Sequence, residues 1–225
     1  MTNHIIWTAG LVGHLLVVAA LFARGRARRF PCFTLLIVFD ILRALALALF
    51  VARLAPPALR VTSTSFEITD LLLEFAVLAE LVLTALWPLG RLRRVTLPLL
   101  LLGSGALIVN HLAPVSHYIG RAAPLLLHFF LGVLFLEWSL VLVSLLRPLK
   151  LRWRSDVAAI SFGFGVYSAS LLFAGGYFRV GRGLSDYIFF SYLRIAVYLF
   201  VVLWWIVSLW TLPPLEPRKQ PQGPN

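Results

Sequence analysis

Seven long apolar stretches, separated by short polar gaps, set the plan of this 225-residue chain. Each is about twenty residues long, which at about 1.5 Å per residue lets a helix cross a hydrocarbon core of about 30 Å. The pattern therefore predicts seven transmembrane helices, which we number as the first to seventh predicted spans. They cover residues 4–23, 32–52, 65–88, 95–113, 122–146, 156–177 and 187–210.

The basic residues between the spans predict how the bundle is oriented. The first, third and fifth gaps together with the tail hold 13 Lys and Arg residues, against 5 in the other three gaps. Because cytoplasmic loops carry the excess of Lys and Arg, the N-terminus is predicted outside and the C-terminus in the cytoplasm. The predicted fold class is all-α: a polytopic seven-transmembrane-helix bundle in the bacterial cytoplasmic (inner) membrane.

Composition leaves no room for a soluble domain beside these spans. The chain is 60% hydrophobic and 13% charged, with a mean hydropathy of +0.92. We expect one transmembrane domain over residues 1–212 and a Pro-rich, disordered cytoplasmic tail over 213–225. The formal net charge of +11 comes mainly from cations that flank the spans. The expected partners are therefore anionic lipid headgroups and not nucleic acid.

Several local signals refine the helix ends. Ser155 and Asp156 give the sixth span a polar N-cap and an acid at the positive end of its dipole. Pro56–Pro57 predicts a break between the second and third spans. Tryptophans near the end of the seventh span are typical of an interfacial aromatic belt. They are Trp204, Trp205 and Trp210.

Small residues in the sixth span predict a close helix contact. Ser161, Gly165 and Ala169 recur every four residues, with Ala159 and Gly163 at the same spacing beside them. Small side chains at this spacing let helix backbones approach closely. The contact is expected either inside the bundle or between the protomers of a homo-oligomer.

Ionisable groups within the predicted spans are the candidate functional residues, because charge at membrane depth is costly and is normally turned inward or paired. Most of them form an outer cluster that mixes acids, Arg and His. An outward-facing pocket for a polar or zwitterionic small molecule would need such mixed charges, with Arg binding a carboxylate or phosphate. The alternative is a salt-bridge network that only fixes helix register, with Arg43 paired to Asp40 or Glu74 and Arg194 paired to Asp70. The candidate ligand-binding residues are Asp40, Arg43, Asp70, Glu74, His128 and Arg194.

Two further carboxyls, Glu80 and Glu137, share a deeper level towards the cytoplasmic side. Neighbouring carboxyls in a low dielectric cannot both stay ionised, so a proton-relay pair is one hypothesis. The other is a pair of neutral acids that join helices by a hydrogen bond.

Several sharper chemistries are excluded or weakly supported by the sequence. The only lysines, Lys150 and Lys219, lie outside the spans, which excludes a retinal Schiff base. Neither an H-E-x-x-H nor a G-x-S-x-G motif is present, so no catalytic residue is assigned and an enzyme is not favoured. His14 and His128 are a weak pair for a haem. No metal or cofactor is expected, and the lone Cys32 allows no internal disulfide.

Three short motifs resemble a set of seven-helix proteins of soil bacteria. They are Phe75–Ala76–Val77–Leu78–Ala79–Glu80, Phe135–Leu136–Glu137–Trp138, and Leu151–Arg152–Trp153–Arg154 leading into Ser161–Phe162–Gly163–Phe164–Gly165–Val166–Tyr167. The motifs extend from the third to the sixth span. That family has no assigned activity, so the resemblance implies the seven-helix membrane class and nothing about the ligand.

Three functional classes are compatible with these sequence features. A receptor-like or sensory bundle fits the outer polar cluster and a basic cytoplasmic face that could contact a signalling partner. A small-solute or proton-coupled transporter fits carboxyls at two depths, although the spans lack paired mid-span Pro or Gly breaks. A membrane enzyme or haem-binding bundle comes third. We favour the receptor-like class.

Overall fold

The computed structural model describes residues 2–50, 56–86, 131–143, 155–178 and 184–211, and within them every regular element is an α-helix. The helices are α1 (Thr2–Ala23), α2 (Pro31–Phe50), α3 (Pro56–Leu86), α4 (Leu131–Val143), α5 (Asp156–Phe178) and α6 (Leu184–Thr211). They correspond to the first, second, third, fifth, sixth and seventh predicted spans. The fourth span and the tail lie outside the described residues, so the count of seven stays a prediction.

Four of these helices are long and apolar enough to cross a membrane. The segments are Ile6–Ala23, Pro31–Leu49, Asp156–Phe173 and Ile188–Thr211. The described part of the chain therefore has the helices of an integral membrane protein. The 31-residue helix α3 is not among the four, and it carries the acids Glu67, Asp70, Glu74 and Glu80.

The third span begins earlier than predicted, because α3 starts at Pro56 and not near residue 65. Proline is well tolerated in the first turn of a helix, where its missing N–H would have no intrahelical partner. The same holds for Pro31, which opens α2. In contrast, the predicted N-cap of the sixth span is confirmed: the backbone N–H of Ala158 donates to Ser155 Oγ at 3.2 Å.

Five of the helices form a closed ring. Helix α1 packs between α2 and α6, α2 packs on α3, α6 packs on α5, and α3 contacts α5. Helix α4 packs against α5, where the rings of Phe135 and Phe164 stack 4.3 Å apart. The ring order leaves α3 and α6 on different sides of a central space.

Aromatic side chains fill the centre of the bundle. Phe33 from α2, Phe164 from α5 and Trp205 from α6 contact one another, with ring centroids 5.0 to 6.1 Å apart. Trp205 is only 5% exposed, so its assignment to the interfacial belt is wrong. Its indole lies against Gly163, where a Cβ atom would overlap the ring. Trp204 and Trp210 are more exposed, as expected of a belt.

The small residues of α5 are packed inside the chain. Ser161 is fully buried and accepts a hydrogen bond from Trp138 Nε1 at 3.0 Å. Gly165 lies against Ser139, which also donates to the carbonyl of Ser161. This packing accounts for Ser161, Gly163 and Gly165 within one chain. A homo-oligomer through other small-residue faces stays a prediction.

One end of the bundle carries the basic turn between α1 and α2. We call it the arginine end, after Arg24, Arg26, Arg28 and Arg29. Gly25 in this turn has φ +67°, and the N–H groups of Gly25 and Arg26 donate to the carbonyls of Phe22 and Leu21. These two bonds form a Schellman motif, which requires a left-handed residue and so favours glycine.

Candidate functional site

A cavity of about 620 Å³ lies inside the five-helix ring. Its wall on α1 runs from Ile6 to His14, and its wall on α2 runs from Leu36 to Leu47, so most of it is in the half of the bundle away from the arginine end. Five of the six candidate ligand-binding residues line this cavity. They are Asp40, Arg43, Asp70, Glu74 and Arg194.

Arg43 is held by two carboxylates on the cavity wall. Its Nη1 donates to Asp70 Oδ2 at 2.6 Å, and its Nη2 lies 3.4 Å from Asp40 Oδ1. Asp40 and Arg43 are three residues apart and so share one face of α2, while Asp70 reaches them from α3. Each end of the guanidinium fork therefore faces its own carboxylate, and the cluster joins the two helices.

A second polar contact joins α1, α6 and α2 across the same cavity. Tyr198 Oη lies 3.0 Å from His14 Nε2, and the two rings meet edge to face. The same His14 nitrogen is 3.9 Å from Asp40 Oδ2. The sequence reasoning missed Tyr198. Its position one turn after Arg194 on the same face of α6 was the available signal.

Glu74 and Arg194 line the cavity without a direct charged partner. Within the described residues, no ion pair or hydrogen bond joins either side chain to another group. Asp70 was the partner expected for Arg194 in a salt-bridge network, but Arg43 occupies that carboxylate. Glu74 is half-buried on α3, and Arg194 is exposed on α6.

Of the remaining predicted residues, Glu80 and Glu137 are outside the lining of this cavity. His128 is outside the described residues, and Glu137 is half-buried on α4. The Glu80 carboxylate accepts the backbone N–H groups of Cys32 at 3.0 Å and Phe33 at 3.1 Å. These are unpaired donors of the first turn of α2, so Glu80 caps that helix from α3 and places negative charge at its positive end. A proton relay between Glu80 and Glu137 stays a prediction.

The lining combines charge with an apolar base. On the side of the arginine end the cavity is closed by the apolar residues Phe164, Val201 and Trp205. The charged side chains, the His14 imidazole and the Tyr198 phenol lie farther from the arginine end. Concave sites of a few hundred Å³ with a few convergent polar groups are typical of small-molecule binding. Among the described residues, no group of three or more His, Cys, Asp or Glu side chains could hold a metal ion.

No protein-family model, curated protein or solved structure matches the chain.

Proposed function

We propose that this protein is a receptor-like or sensory seven-helix membrane protein that binds a polar small molecule in the cavity. The observation that carries the proposal is the ion cluster of Asp40, Arg43 and Asp70 on the wall of an internal space. A cluster that only fixed helix register would pack without a cavity beside it, because a void forfeits contacts on one side of its lining.

The orientation follows from charge. The arginine end and the C-terminus of α6 belong to the same end of the bundle, since Arg24 donates to the carbonyl of Trp210. By the positive-inside rule that end is cytoplasmic. The cavity then occupies the outer half of the bundle, and its ligand arrives from outside. The basic end meets anionic lipid headgroups and a separate signalling protein in the cytoplasm of a bacterial cell.

Cysteine accessibility tests whether the cavity takes solute from outside. The test variants are made in a Cys32→Ala background. Leu11 lines the cavity, so Leu11→Cys places a thiol on the cavity wall. Val12 lies at nearly the same depth but is 47% exposed, so Val12→Cys places a thiol on the outer face of α1. A charged, membrane-impermeant thiol reagent added outside should modify the first and not the second, because a thiol in lipid does not ionise. Leu47→Cys and Leu49→Cys form a second matched pair on α2. Equal reactivity within both pairs would contradict an outward-facing pocket.

The transporter alternative rests on the carboxyls beside the cavity, which suit proton coupling. Purified protein in liposomes with an imposed pH gradient separates the two classes. A receptor binds its ligand without concentrating it in the vesicle. Accumulation that a protonophore abolishes would replace the receptor-like proposal with the transporter.

A further inference from the structure

Among the described residues, some of the charged side chains that line the cavity have an ion-pair partner and others have none. Arg43 already contacts Asp40 and Asp70, and Asp40 also lies near His14. Glu74 and Arg194 remain, one acid and one base, without an ion pair among the described residues. Ionisable groups within the spans of a membrane protein normally pair with one another or mark the path of a substrate or an ion.

Glu74 and Arg194 belong to helices that the ring keeps apart. Helix α3 packs on α2 and α5, whereas α6 packs on α1 and α5. Both side chains line the space between these helices, and among the described residues no ion pair joins α3 to α6 across it. A molecule that carries a positive group at one point and a negative group at another can contact both walls together.

We propose that the ligand is a small zwitterion of the amino-acid class, with its ammonium group on Glu74 and its carboxylate on Arg194. This inference rests on the proposed function and specifies its ligand. A guanidinium is well matched to a carboxylate, since its planar fork donates two parallel hydrogen bonds. The apolar part of the ligand lies against Phe164, Val201 and Trp205 at the base of the cavity.

The charge inventory favours a zwitterion over a ligand with one charge. A cation would pair with Glu74 and leave Arg194 without a counter-charge. An anion would pair with Arg194 and leave Glu74 facing Asp40 and Asp70, two acids that already share Arg43. A ligand with both charges pairs with both groups and leaves the Asp40–Arg43–Asp70 cluster intact.

Binding to the unmodified full chain in lipid nanodiscs tests this inference directly. The twenty standard amino acids are screened first, by isothermal titration calorimetry. The tightest binder is then compared with its own amide, which is a cation, and with its N-acetyl derivative, which is an anion. We expect each derivative to bind at least about tenfold more weakly than the parent, because each loses one charged contact.

Two variants assign each charge to its residue. Glu74→Gln should remove the preference for the amino acid over its N-acetyl derivative, and Arg194→Gln should remove the preference over its amide. Glu67→Gln, an exposed position on α3 outside the cavity lining, should keep both preferences. The Glu67 variant controls for the change of acid to amide.

The outcomes separate the ligand class from the proposed function. If an amide or an N-acetyl derivative binds as tightly as its parent, the zwitterion is overturned while the cavity remains a binding site. If none of the twenty amino acids binds at 10 mM, on the order of the weakest useful affinity, the inference is also overturned. The cysteine pairs then decide separately whether the cavity is open to solutes.

Discussion

The Arg26 guanidinium lies 2.9 Å from the Asp156 carboxylate, and both side chains are almost fully buried. Arg26 also donates to the carbonyl of Leu209, so one side chain joins the α1–α2 turn to the start of α5 and the end of α6. Burial lowers the pKa of Arg26, and the charge of Asp156 acts in the opposite direction. Because the pKa of arginine is so high to begin with, the guanidinium stays charged and needs this partner.

Asp156→Asn should destabilise the protein by about 3 kcal/mol or more, because it leaves a buried guanidinium without its counter-charge. Thermal or denaturant unfolding in detergent measures the change. Arg29→Gln is the matched control, since its Nη1 lies 3.9 Å from the same carboxylate and its side chain is 42% exposed. The control should change the free energy of unfolding by less than about 1 kcal/mol. Equal effects of the two variants would contradict the role of the buried pair.

Removing the Glu80 carboxylate should weaken the start of α2. Glu80→Ala leaves the N–H groups of Cys32 and Phe33 without their acceptors and should cost about 1 to 2 kcal/mol. Glu80→Gln keeps one acceptor and should cost less. The hydrogen-exchange rates of the Cys32 and Phe33 amides measure the loss of the cap directly. Glu67→Ala, on the exposed face of α3, is the control. Unchanged protection of both amides in Glu80→Ala would show that the cap is unimportant.

Gly25 should be sensitive to a side chain through its backbone alone. No atom lies within 4 Å of the position that a Cβ would occupy, but the residue has φ +67°. Gly25→Ala should therefore cost about 1 kcal/mol, and Gly25→Asn less, because asparagine tolerates the left-handed region. Gly132→Ala within α4 meets only ordinary contacts and should be neutral or stabilising. The order of the melting temperatures, with Gly25→Ala lowest, checks the prediction.

Arg43 should contribute more to stability than Asp70. Arg43→Gln leaves Asp40 and Asp70 facing each other without a counter-charge and should cost about 1 to 3 kcal/mol. Asp70→Asn keeps the contact between Arg43 and Asp40 at 3.4 Å and should cost less. Unfolding of the two variants in the same detergent gives the comparison. A larger loss in Asp70→Asn would mean that Asp70 and not Arg43 is the centre of the cluster.

Features that depend on one segment of sequence were predicted well. The apolar stretches mark the described helices to within a few residues at most ends, and Ser155 caps α5 as expected. The pairing of Asp40 with Arg43 follows from their spacing on one helix. The start of α3 was missed because Pro56 can either end a helix or open one.

Features that depend on helix rotation were not predictable from the sequence. Nothing in the chain indicates that Asp70 and not Glu74 takes Arg43, or that Glu80 reaches the start of α2, 48 positions away in sequence. Trp204, Trp205 and Trp210 are all tryptophans near the same helix end, and the sequence does not distinguish Trp205 from the other two. Only the packing of α6 against Phe33, Phe164 and Gly163 shows that it is buried.

We expect the cavity to face outward, and topology reporters measure this orientation. A paired reporter that is active only in the cytoplasm or only outside is fused after Asn225 and, in a second protein, inserted in residues 114–121. Because 13 Lys and Arg residues lie in the first, third and fifth gaps and the tail, against 5 in the other gaps, the first fusion should read cytoplasmic and the second external. The reverse pattern would place the cavity of Asp40, Arg43 and Glu74 towards the cytoplasm and contradict the account.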